Sequence, residues 1–128
     1  MNEGENMSNS FEDDKPLFQQ IAERIEESIL DGSIVEGERI PSTNELAKYY
    51  QINPATAGKG INQLVDQSII FKKRGIGMFV TDGARSIILQ KRKDDFYDEY
   101  IVPLKAEAKR IGISSEALLT LIKEDEEA

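Results

Sequence analysis

Two helix starts stand eleven residues apart in this chain, and their spacing limits what lies between them. The first is Ser42-Thr43-Asn44-Glu45, a capping box in which the serine hydroxyl and the glutamate carboxylate each satisfy an orphan amide. The second is Asn53-Pro54, a cap residue followed by a proline at a position where no backbone donor is needed. Only a short helix fits between them, predicted over 43–50 with Leu46, Ala47 and Tyr50 on its buried side, and then a tight turn at Gln51-Ile52-Asn53. The helix opened by Asn53-Pro54 is predicted to run to about Gln67, with Ala57, Ile61, Leu64 and Val65 facing inward.

The flanks extend this pattern. Leu17, Ile21, Ile25 and Ile29 recur every four residues and predict a helix starting at Lys15-Pro16, capped by Asp14 and stopped near Gly32. After the second helix start, Ile69 to Lys73 reads as a strand, Arg74-Gly75-Ile76-Gly77 as a turn and Met78 to Thr81 as the return strand. Residues 1–14 are acidic, aperiodic and expected to be disordered. Beyond Asp82-Gly83, helices are predicted over about 84–100, with Pro103 kinking or interrupting the run, then 104–111, and a last one from Ser114-Ser115-Glu116 ahead of an acidic tail. The fold class is mostly α with a small β-hairpin. The expected divisions are a disordered stretch over 1–14, a compact unit over 15–82 and a helical region over 83–128.

Composition narrows function. Cysteine and histidine are absent, which removes thiol nucleophiles, disulfides, imidazole bases and the usual zinc ligands. No catalytic residue, metal site or cofactor is expected. No apolar run approaches the length of a membrane span and the acidic N-terminus is unlike a signal peptide, so a cytoplasmic protein without a membrane partner is expected. The net charge is −8, but residues 39–80 carry six basic and two acidic side chains, and the segments on either side are acidic. Because salt screens interactions beyond roughly 8–10 Å, local charge matters more than the total.

Helix, short helix, tight turn, helix and hairpin in that order make a winged helix-turn-helix. In such a unit the short helix braces the next, whose N-terminal residues reach base edges in the major groove. The expected partner is double-stranded DNA. Readout is expected at Asn53, Pro54, Ala55, Thr56 and Lys59. The wing residues Lys72, Lys73 and Arg74 are expected on phosphates or in the minor groove beside Gly75 and Gly77. Arg39, Ser42, Thr43 and Asn44 complete the expected contacts, with Ser42 able both to cap its helix and to aim amides at a phosphate. Gly58 and Gly60 weaken their helix by about 1 kcal/mol each relative to alanine, a cost that close approach to a DNA backbone would justify.

The run from Gly37 through Glu38, Arg39, Ile40, Pro41 and Ser42 to Leu46-Ala47, then Ile52-Asn53-Pro54-Ala55-Thr56, then Arg74-Gly75-Ile76-Gly77-Met78-Phe79-Val80, resembles the GntR family of bacterial regulators. The short region after the wing is similar to the YtrA-type subfamily. That resemblance implies dimerisation through two helices after the wing and repression of a small operon, often one for an ABC-type transporter. Many relatives place arginines where this chain has Asn44, Pro54 and Gly58. Their absence implies fewer guanine contacts and more dependence on Lys59, Arg39, the wing and backbone amides.

Too few helices follow the wing to bury their own apolar side chains, so Ile87, Ile88, Phe96, Tyr100, Leu118, Leu119 and Ile122 are expected at a homodimer interface that places recognition helices on the half-sites of a pseudo-palindromic operator. The region after the wing is thin for a dedicated ligand pocket, so any small-molecule effector, of unknown identity, is expected in a groove at that interface. Asp94, Asp95, Asp98 and Glu99 beside Lys91 to Lys93 read as a solvated helix face. The alternative function is a winged-helix protein-interaction module without specific DNA binding, which the basic block disfavours.

Overall fold

The structure, a computed structural model, describes residues 11–124. The expectations for residues 1–10 and for the acidic tail past Glu124 lie outside the described residues.

Helix α1 spans Leu17–Leu30 and buries Ile21, Ala22, Ile25 and Ile29. Its start corrects the sequence reading. Asp14 does not cap it; Pro16 is the N-cap, and its carbonyl accepts from the N–H groups of Gln19 and Gln20. The lead-in is not a loose tail either. The Gln20 side chain, itself buried, donates to the carbonyls of Glu12 and Lys15 at 2.7 and 2.9 Å and accepts from the Glu12 N–H at 2.7 Å. Phe11 packs on the core edge, its ring 5.5 Å from that of Tyr50. Residues 11–14 therefore leave the segment expected to be disordered.

Strand β1 is Arg39–Ile40, followed by α2, Thr43–Tyr50, and α3, Pro54–Asp66. The turn between the helices relies on Gln51, held at φ 58° and ψ 51°. In this left-handed conformation the Gln51 N–H reaches the Lys48 carbonyl, and the Ile52 N–H reaches that of Ala47. Strands β2, Ile70–Lys73, and β3, Gly77–Val80, form the hairpin. The expected two-stranded hairpin gains a third strand: β1 pairs antiparallel with β3, giving the order β1-β3-β2. Ile40, Ile70, Met78 and Val80 face the core from this sheet, which also holds Leu46, Ala57, Ile61 and Leu64 from the helices.

Helix α4 spans Ala84–Phe96. The chain divides into two compact units between Leu89 and Gln90, not at residue 82. Ala84 and Ile88 are fully buried in the first unit's core and Ile87 packs against it. Ile88, expected at a dimer surface, thus has its side chain consumed within its own unit, and Ile87 is partly consumed there. The carboxylate of Glu36 fastens this helix start by accepting from the N–H groups of Gly83 and Arg85 at 2.8 and 3.1 Å.

In the second unit Pro103 does not break the helix. A π-helical turn, Tyr97–Ile101, precedes α5, Val102–Arg110, which has Pro103 in its first turn. Proline has no amide to continue the α-helical ladder and its ring crowds the carbonyl four residues back, so one wider turn, with the Val102 N–H on the Tyr97 carbonyl, accommodates it. After Gly112, α6 spans Ser115–Glu124, with the Ser114 hydroxyl accepting from the Ala117 N–H.

Candidate nucleic-acid interface

The caps predicted for α2 and α3 form as read, unlike that predicted for α1. The Ser42 hydroxyl accepts from the Glu45 N–H at 3.1 Å and a Glu45 carboxylate oxygen accepts from the Ser42 N–H at 2.7 Å. The Ser42 N–H holds the Glu45 carboxyl below its ordinary range, so the box stays charged at neutral pH. With those two amides spent, a phosphate at this helix start would have to meet the N–H groups of Thr43 and Asn44. The Asn53 side-chain oxygen accepts from the Ala55 N–H at 2.7 Å, so its carbonyl serves the cap.

Around that cap, Asn53, Pro54, Ala55 and Lys59 are exposed, Thr56 and Gly58 are half-buried, and Ala57, Gly60, Ile61 and Leu64 face inward. Thr43 lies beside this helix: its Cγ2 is 3.6 Å from where a Cβ on Gly58 would stand. The fold thereby brings the α2 start and the second turn of α3 together. Gly60 serves another purpose than the one expected. A Cβ there would come within 2.7 Å of the Phe18 carbonyl, so this glycine permits α1 and α3 to pack closely and has no free side toward DNA. The Lys59 ammonium rests 4.3 Å from the centre of the Phe18 ring, at the seam of the same two helices.

The sheet sorts the basic residues by strand alternation. Arg39 pairs with Phe79, and Phe79 pairs with Phe71. These three share the outer face with Lys73, whose ammonium lies 5.0 Å from the Phe79 ring centre. The Phe71 and Phe79 rings stack at 6.0 Å. Gly77, at φ 145°, belongs to the same face; a Cβ on it would be 2.8 Å from Arg39 Nε, so the missing side chain makes room for the arginine. Lys72 pairs with Met78 and takes the opposite face, exposed past the edge of the core. Arg74 and Gly75 stand at the hairpin tip with exposed Ile76. The expected wing residues therefore divide: Lys73 and Gly77 come together with Arg39 of β1, whereas Lys72 does not join them. Sequence reading missed the phenylalanines of this face. Their period-two spacing with Lys73 was the available signal, but nothing local shows that Arg39 joins the same sheet.

Among the described residues no group of three or more Asp, Glu, His or Cys side chains is placed to hold a metal, and no helix is long and apolar enough to cross a membrane.

The family model for bacterial regulatory proteins of the gntR family matches residues 17–80, half of the chain. The transcriptional repressor YtrA of Bacillus subtilis is 30% identical over 109 residues, covering 85% of this chain and 83% of that protein. A GntR-family structure from Bacteroides thetaiotaomicron matches with a TM-score of 0.71 at 35% identity, over 84% of this chain and 94% of that one. The DNA-binding domain of AraR, solved in complex with operator ORX1, matches with a TM-score of 0.53 at 30% identity, over 56% of this chain and 93% of that one. The chain thus belongs to the gntR family of bacterial regulatory proteins and is a DNA-binding transcriptional regulator, not an enzyme.

Proposed function

We propose that the chain is a cytoplasmic repressor that acts as a homodimer on a pseudo-palindromic operator, controlling a small operon of the kind that encodes an ABC-type transporter. The observations that carry this reading are the exposed start of α3, with Thr43 of α2 against it, and the cationic outer face of the sheet formed by Arg39 and Lys73. Asn53, Pro54, Ala55, Thr56 and Lys59 would meet base edges and adjoining phosphates, with Ser42, Thr43 and Asn44 alongside. Arg39, Lys72, Lys73 and Arg74 would meet phosphates, with Gly75 and Gly77 letting the backbone come close. YtrA, a named repressor, supports the sign of regulation.

Dimerisation is supported by the second unit. Ala108 is its sole buried hydrophobic residue among those described, while Phe96, Tyr100, Leu119 and Ile122 stand exposed and Leu118 half-exposed. The Phe96 and Tyr100 rings lie 5.5 Å apart and form one apolar patch. Sedimentation of the full chain, with titration against DNA from its own promoter region, tests the reading. A dimer is expected, and Phe96→Asp with Tyr100→Asp is expected to yield a folded monomer binding about a hundredfold more weakly, because engagement of the second half-site is no longer intramolecular. A strict monomer at micromolar concentration with undiminished operator binding would sink the dimeric version.

A further inference from the structure

The first unit contains a cavity of about 420 Å³ between α1 and α2, well away in sequence from the region where an effector groove was expected. Ile25, Ile34 and Leu46 give it apolar walls, and Arg24, Ser28, Glu45 and the two tyrosines Tyr49 and Tyr50 bring polar groups to its lining. Its size falls within the range of small-molecule sites, which are apolar concavities with a few placed polar groups.

One of those groups is unsatisfied. Arg24 Nη1 is buried and meets no hydrogen-bond partner among the described residues. The guanidinium is held in place by stacking 4.1 Å from the Phe11 ring centre and lies 5.6 Å from that of Tyr50, whose hydroxyl it also hydrogen-bonds, so that the unmet donor is Nη1 alone. Burying a donor without an acceptor is costly, the more so for a charged group. A cavity lined by the same side chain gives room for the missing acceptor. Glu45 does not fill that role here: one of its oxygens accepts from the Ser42 N–H, and Arg24 Nη1 is left without a partner. The negative charge of Glu45 also drives an anionic headgroup toward the Arg24 end.

We propose that this cavity is a binding site for a small monocarboxylate with an apolar body, its carboxylate on Arg24 Nη1 and its body between Ile25, Leu46 and Tyr50. The site rests on the reading of the chain as a regulator and gives its effector a class and a place. Because α2 supplies one wall and the capping box at its start lies beside α3, occupancy bears on the element that braces the recognition helix.

Binding is read without DNA, so failure here and failure of the operator reading are distinguishable. The full chain is titrated with hydrocinnamate and hexanoate and with their neutral amides, following the Arg24 guanidinium signals by NMR. Each acid is expected to shift those signals and to bind about tenfold more tightly than its amide, as for a charge-assisted hydrogen bond. Arg24→Met should abolish that preference, and Ser28→Trp, which fills the cavity, should abolish binding of acid and amide alike. Operator titration of both variants serves as a separate control on the DNA-binding surface. Acid and amide binding equally would mean that Nη1 holds only water, and would overturn the proposal. Absence of binding by either acid at millimolar concentration, or binding unchanged in Ser28→Trp, would overturn it as well.

Discussion

Gly58 and Gly60 stand two residues apart on α3 and serve different ends. A Cβ at Gly60 would strike the Phe18 carbonyl, a backbone atom that cannot swing aside, so Gly60→Ala is expected to destabilise the first unit by about 1–3 kcal/mol. At Gly58 the nearest atom is 3.6 Å away, an ordinary van der Waals separation. Gly58→Ala is therefore expected to stabilise the fold by about 0.5–1 kcal/mol through helix propensity. Urea unfolding measures both. If α3 approaches DNA along that side, Gly58→Ala will lower operator affinity while raising stability; equal affinity would assign Gly58 no DNA role. The two glycines look alike in sequence, where both suggested approach to DNA, because the atom that decides Gly60 belongs to a helix some forty residues earlier.

At the scale of elements, local signals were the legible ones. The Ser42 and Glu45 box and the Asn53-Pro54 start each act within a few residues and each formed as read, and the glycine turn of the wing formed one residue shorter, with Gly77 already in β3 and paired with Lys73. What went unread depends on distant partners: the pairing of Arg39 with Phe79, the burial of Ile88, and the Glu36 carboxylate on Gly83 and Arg85. The π turn escaped because a proline announces a disturbance without specifying its form. Strand alternation adds a test of the wing. Replacing Lys72, Lys73 and Arg74 together by alanine should flatten the logarithmic salt dependence of DNA binding by up to about 0.9 for each phosphate that is no longer neutralised. Since Arg39 and Lys73 share one face and Lys72 the other, we expect Arg39→Ala and Lys73→Ala to be non-additive and Lys72→Ala to add independently. A double-mutant cycle in operator affinity checks this, and additivity of Arg39→Ala with Lys73→Ala would count against a shared phosphate.

Over the whole molecule, acid should loosen the fold in a predictable direction. Glu36 is held below its ordinary value of 4.5, first by the Gly83 N–H and next by that of Arg85. Glu45 is held low mainly by the Ser42 N–H, and Asp31 mainly by the Ser33 hydroxyl. A carboxyl with a lowered folded value stabilises the native state above its unfolded value and loses that contribution as pH falls through the folded one. The thermal midpoint is therefore expected to fall as pH drops below 4.5, and Glu36→Gln, which keeps an acceptor but not the charge, should shallow that fall. An unchanged slope would remove Glu36 from the account.

The Glu36 clasp and the burial of Ala84 and Ile88 also determine where this protein can be cut. A chimera that borrows the DNA-reading unit and splices at the end of the wing would carry away the recognition helix but leave behind two core side chains and the clasp's amides. The graft would begin with a hole in its interior and a stranded carboxylate. Joining after Leu89 transfers the unit with its interior filled, so the interchangeable module here runs nine residues past the end of its DNA-reading motif at Val80.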